Sequence, residues 1–196
     1  MTSKRWLWLL LVTAPAWAQD EALAPDGTSA SDNSTTCNGT VHPTVDDDPD
    51  SPGGDWCIAD NNNTSWAFTL TFPTPSSTLD NTTDAQVFEF YVRSFDEGQS
   101  GDPTIRVDIH DGTGCADLHE SGAETTLTDA GFPAKVSEAW TSAGISAAAD
   151  ICAVVTCTKT GGSPSSRNSC DIDAIEWDVA WAAVASRSRA HVIGGN

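Results

Sequence analysis

Apolar and polar residues alternate with period two in six separate stretches of this chain. In SWAFTLTF (65–72), Trp66, Phe68, Leu70 and Phe72 share one side, and Ala67, Thr69 and Thr71 share the other. VFEFYVR sets Phe88, Phe90 and Val92 against Glu89, Tyr91 and Arg93. TIRVDIH sets Ile105, Val107 and Ile109 against Arg106, Asp108 and His110. AKVSEAW, DICAVVTC and SCDIDAIEWDVAW are the remaining three. A strand shows alternate side chains to opposite faces, so this period fits half-buried strands. The turn-forming clusters PTPSS, DEGQSGD, HDGTG and TGGSPSSRN lie between them. With shorter pieces near 56–60 and 123–128, the set comes to about eight strands. No helical stripe is present; ISAAAD comes nearest and is too short to stand alone. The expected fold is all-β, a two-sheet antiparallel sandwich of jelly-roll type spanning residues 41–182.

The last stretch breaks its own parity. Cys170 and Ile172 are even, whereas Ile175, Trp177, Val179 and Trp181 are odd. One face can hold both sets only if a residue is extruded near Asp173 and Ala174, which is what a β-bulge does. A bulge re-aims side chains, and Asp173 is on that account a candidate ligand.

The ends read differently. Lys4 and Arg5, the apolar run Trp6–Val12 and the Ala16-Trp17-Ala18 sequence form a secretory leader over residues 1–18. Residues 19–40 lack periodicity and read as a disordered lead-in, and residues 183–196 as a flexible tail. No stretch is long enough to be a transmembrane segment. The chain carries 28 acidic residues and a formal charge of −19. That field repels phosphate backbones, so nucleic acid is excluded as a partner.

Six cysteines in an exported chain read as three disulfides. If the strands around TGGSPSSRN form a hairpin, Cys157 and Cys170 face each other. Cys152 then lies roughly 17 Å from Cys170, too far for a bond, and needs Cys115. Cys37 is left with Cys57. No CxxC pair occurs, which argues against zinc.

VDDDPDSPGGDW (45–56) is the densest acidic stretch. Asp46, Asp48 and Asp50 have the spacing that opens an EF-hand loop. Ser51 and Cys57 stand where that loop needs Gly and Glu, so an EF-hand is rejected. Two readings stay open. One is a calcium site in which Asp46, Asp48, Asp50 and Asp55 meet a carboxylate from the last strand, Asp173 or Asp178. The other is a solvated Asp-Pro turn. Trp56, Trp66, Trp140, Trp177 and Trp181 read as core residues, with Trp56, beside the acidic loop, the best candidate to stack on a sugar. Asp108, His110 and Asp111 read as surface, and GGSPS lacks the last glycine of a nucleophile elbow. No catalytic residue is assigned. Five N-x-[ST] sequons begin at Asn33, Asn38, Asn62, Asn63 and Asn81.

DDDPDSPGGDW, FPTP, FEFYVRSF, GDPTIRVDIHDG and GGSPSSRNSCDIDAIEW resemble a family of small β-sandwich proteins found among environmental bacteria and as parts of bacteriophage virions. The resemblance covers roughly residues 41–182. It implies a sandwich fold and an accessory or structural role, and it carries no catalytic residues across. Members are usually poor in cysteine and lack a leader; this chain has both, which favours a cell-encoded surface protein. The expected function is therefore an exported, non-enzymatic surface or matrix module, secreted, periplasmic or on the cell surface. Its ligand is expected to be a glycan or another surface component, with calcium as a candidate cofactor if the acidic stretch is a metal site and not a solvated turn. The alternative is a structural component of a fibre, appendage or phage-like particle with no small ligand.

Overall fold

The computed structural model describes residues 21–31, 35–36, 57–59, 65–82, 84–95, 101–128, 134–145, 150–161 and 169–182. They form twelve strands: β1 (Glu21–Leu23), β2 (Gly27–Ser31), β3 (Thr35–Thr36), β4 (Cys57–Ala59), β5 (Ser65–Thr71), β6 (Gln86–Phe95), β7 (Thr104–Asp111), β8 (Asp117–Ser121), β9 (Thr125–Thr126), β10 (Ala134–Trp140), β11 (Cys152–Thr158) and β12 (Ser169–Val179). Among the described residues no helix is long and apolar enough to cross a membrane.

The first sheet runs β10-β6-β12-β4-β3, with β1 also paired to β12; the second runs β2-β5-β11-β7-β8, with β9 paired to β7. From β4 to β12 the chain passes from one sheet to the other at nearly every connection. Only β7, β8 and β9 follow one another within a sheet. That winding, with every ladder antiparallel, is a jelly roll. The alternating residues do what their period implies. Trp66, Phe68, Leu70 and Phe72 from the second sheet meet Phe88, Phe90, Val92, Ile172, Ile175 and Trp177 from the first, all buried. At one end of this core Phe72, Phe88, Trp140 and Trp177 cluster, with Phe88 stacked on Trp140 at 5.6 Å and Phe72 edge-on to Trp177 at 6.1 Å.

The bulge in β12 is where parity requires it. Ile172 pairs with Val92 and Ala174 with Tyr91, so Asp173 has no place in the ladder with β6. Among the described residues two disulfides are present, Cys157–Cys170 and Cys115–Cys152. The route to the first differs from the hairpin expected. β11 and β12 lie in opposite sheets, and Cys157–Cys170 crosses the core between them. β11 and β12 are thus not partners in a hairpin. Cys37, and with it the Cys37–Cys57 pairing, lies outside the described residues.

The lead-in is also corrected. Within residues 19–40, β1 pairs with β12 and β2 with β5, and Leu23 joins the core. These segments carry little periodicity of their own because each borrows the edge of a finished sheet. The proposed leader (1–18) and tail (183–196) lie outside the described residues.

Two polar clusters close the sandwich. Gln86 is fully buried at the start of β6 and uses its whole amide. Its Nε2 donates to the carbonyls of Asp80 (2.9 Å) and Ala180 (2.8 Å). Its Oε1 accepts from Trp177 Nε1 (3.3 Å) and Ala180 N (3.2 Å). Next to it, where Trp140 pairs with Gln86, β8 and β10 are stapled across the sheets. Glu120 accepts from Thr141 N, His119 Nε2 donates to Thr141 O at 2.7 Å, and Glu138 accepts from Ala123 N. Gly122 threads this clasp so closely that a Cβ would sit 2.0 Å from the Val107 carbonyl oxygen.

Replacing Gln86 with Leu leaves Trp177 Nε1 and Ala180 N without their acceptor and takes one of two donors from each of the Asp80 and Ala180 carbonyls. At about 1–3 kcal/mol per unsatisfied group, the variant is expected to lose about 2 kcal/mol or more. Urea unfolding followed by tryptophan fluorescence measures this, and a loss under about 1 kcal/mol would show that the amide does not tie the loops.

Candidate functional site

The polar parity of the first sheet builds its outer face. On β6, Glu89, Tyr91 and Arg93 alternate with core residues and are half-buried. Asp171, Glu176 and Asp178 of β12 stand beside them, with Asp173 extruded at the bulge. Lys135 and Ser137 of β10 complete the face, Lys135 opposite Tyr91 and Ser137 opposite Glu89. Tyr91, the chain's single tyrosine, therefore stands on an inner strand flanked by charged groups on both sides.

Those groups are arranged in pairs. Arg93 Nε donates to Asp171 Oδ2 at 2.8 Å, and Lys135 pairs with Glu89. Ser137 Oγ also donates to Glu89, at 3.4 Å. Glu89 and Glu176 are direct cross-strand partners. Like charges so placed repel, and Lys135 offsets part of that cost. Asp171 is fully buried, and its second oxygen, Oδ1, has no hydrogen-bond partner. Burial pushes its carboxyl up to about 6, against the opposing hydrogen bond and charge of Arg93. At the other end of the face a hollow of about 290 Å³ is lined by Val87, Asp178 and Ala180, among others. An aromatic ring set among oriented carboxylates, a guanidinium and an ammonium group can stack on a ring of carbon and hydrogen-bond its hydroxyls.

The residues named from sequence divide into two groups. Asp46, Asp48, Asp50, Asp55 and Trp56 lie outside the described residues. Asp173 is buried at the bulge, and Asp178 borders the hollow. Among the described residues no three His, Cys, Asp or Glu side chains gather closely enough to hold a metal. Trp66, Trp140 and Trp177 are core, and Trp181 packs against it partly buried. Asp108 does not orient His110. It takes two bonds from Arg106 and one each from Ser121 Oγ and Gly122 N, while His110 Nδ1 donates to the Cys115 carbonyl at 3.1 Å. Tyr91, Arg93 and Lys135 were not singled out by sequence. Their parity was visible, but nothing in it separates a ligand face from a solvated one.

The fold and this face define a jelly-roll domain with a polar, aromatic-centred outer surface. No protein-family model and no curated protein matches the chain. Among solved structures it is similar to the CBM22-1 xylan-binding domain from Paenibacillus barcinonensis Xyn10C, at 16% identity and a TM-score of 0.42 over 87% of this chain and 99% of that one. It is also similar to a CBM4 domain, at 15% identity and a TM-score of 0.41 over 82% and 94%. A family 30 carbohydrate binding module is similar at 11% identity and a TM-score of 0.41 over 81% and 98%. None of them lends a residue role to this chain.

The Asp171 carboxyl gives a pH signature. Its value in the fold, about 6, lies above the ordinary 3.8, so the native state binds the proton more readily than the unfolded chain. Its contribution is fully present below pH 3.8 and is lost as pH rises through about 6. Asp171→Asn is expected to remove that slope between pH 4 and 7, measured as melting temperature against pH relative to the parent. An unchanged slope would show that Asp171 does not titrate there.

Proposed function

We propose that this protein is an exported, non-enzymatic β-sandwich module that binds a glycan on the outer face of its first sheet. The observation that carries the reading is Tyr91, half-buried at the centre of that face, with hydrogen-bonding groups on each flanking strand. A pyranose has an apolar face and a rim of hydroxyls, which such a surface matches. The disulfides fit an oxidising compartment. Asp108 is engaged with Arg106, Ser121 and Gly122, and His110 with the Cys115 carbonyl, so the two are not paired with each other. Tyr91→Ala is expected to weaken retention on insoluble or gel-entrapped polysaccharide at least about tenfold without lowering the melting temperature by more than a few degrees, as for loss of a central aromatic anchor. Equal retention of the two proteins on every polysaccharide tested would remove this face from consideration.

The reading extends to calcium. β4, which the acidic stretch leads into, pairs with β12 at Asp171 and Ile172, immediately before Asp173. Asp171 Oδ1, without a hydrogen-bond partner, is a further oxygen there. Calcium takes six to eight oxygens, and the remainder would come from Asp46, Asp48, Asp50 and Asp55. Calcium at a hundredfold excess over Kd is expected to stabilise the fold by about 2.7 kcal/mol, with magnesium failing to substitute. Asp48→Asn combined with Asp50→Asn should abolish the shift in melting temperature. Equal responses to calcium and magnesium would favour a solvated turn.

A further inference from the structure

A second hollow, away from the face centred on Tyr91, has the chemistry of a binding site for a small neutral polyol. It encloses about 290 Å³ between the segment before β6 and the turn after β10. Ser77, Thr78, Asn81 and Ser142 line it with hydroxyls and a carboxamide, and Leu79 and Ile145 supply apolar wall. Leu79 and Ile145 both pack on the core, so that wall is anchored. Among the described residues no charged one lines the hollow, although the chain as a whole has a formal charge of −19.

The walls are tied before any ligand arrives. Ser142 Oγ donates to Asp80 O at 2.9 Å, and Thr141 Oγ1 to Asn81 O at 3.4 Å, joining the two segments. Asp80 N donates to Ala180 O and Ala182 N to Thr78 O, fixing the first segment to the chain after β12. Ile145 N closes the turn on Ser142 O. These bonds consume the Ser142 hydroxyl and the backbone groups named. Among the described residues, none bonds the hydroxyls of Ser77 and Thr78 or the carboxamide of Asn81, which places three polar side chains on the rim beside an apolar wall. Preorganised walls lower the ordering cost of binding.

We propose that this hollow binds a neutral monosaccharide or the uncharged end of a glycan chain, independently of the face centred on Tyr91. Its volume is at the small end for ligand sites, roughly 300 Å³ upward, which fits one sugar ring and not an extended chain. Uncharged walls in an acidic protein admit neutral rings and give a sugar acid nothing to offset repulsion. Affinity should be weak, with a Kd on the order of 1 mM for so few atoms.

The test is an amide chemical-shift titration of the intact protein with glucose, galactose, mannose, xylose, N-acetylglucosamine and glucuronate, one at a time. The expected result is saturable shifts at Ser77–Asn81 and Ser142–Ile145 with at least one neutral sugar and none with glucuronate. Asn81→Ala and, separately, Ser77→Trp should each weaken that response at least fivefold, while both variants keep the parent's polysaccharide retention and melting temperature. No saturable shift in these two segments with any neutral sugar would overturn the proposal. So would equal shifts with glucuronate, or shifts unchanged in both variants. Because the titration of the parent needs no substitution, a misfolded variant does not spare the idea.

Discussion

The register of β12 is what the first sheet depends on. This strand pairs with β6 along most of its length, carries β4 and β1 on its other edge, and is bonded to β11 through Cys170. Its apolar residues change parity midway, and the extra residue at Asp173 lets both sets face the core. The magnitudes show why the chain accepts the irregularity. Turning Ile175, Trp177 and Val179 outward would forfeit about 1.5–3 kcal/mol for each side chain. A disrupted ladder position costs about one hydrogen bond, roughly 1 kcal/mol net. Burial wins, and the bulge follows.

The same strand concentrates polar groups on the opposite side of the sheet. Gln86 and Asp171 are both fully buried, yet they are treated differently. Gln86 satisfies donors and acceptor alike and joins three segments, as a structural amide should. Asp171 spends one oxygen on Arg93 and leaves the other without a partner, at the cost of a raised pKa. An incompletely satisfied carboxylate beside an extruded aspartate is the kind of local inconsistency that ligand sites carry and scaffolds avoid. The calcium reading draws on this contrast.

Much of the scaffold was legible along the chain. Six alternating stretches became β5, β6, β7, β10, β11 and β12, and the parity break at Cys170–Val179 located the bulge. β8 was not anticipated, because DLHES has one apolar residue, Leu118, and it is exposed. β1 and β2 were read as lead-in for a related reason. They are added to edges that other strands create, so their own residues need carry almost no signal.

The sequence by itself determined which side chains must be buried together, since period two allows only one assignment of faces to each strand. It also carried the requirement for a bulge, whereas the two observed disulfides match the expected pairings although the hairpin they were argued from is absent. What tertiary structure alone decided was which sheet each strand joins. Cys157 and Cys170 are close in the chain whether they sit in a hairpin or cross the core, and only the winding of the jelly roll chose the crossing. It likewise decided that Tyr91 would sit between Lys135 and β12, and that Ser77, Asn81 and Ser142 would share a hollow. Tyr91 and Lys135, like Asn81 and Ser142, are tens of residues apart in sequence. Their meeting depends on strand order and register, which no local pattern encodes.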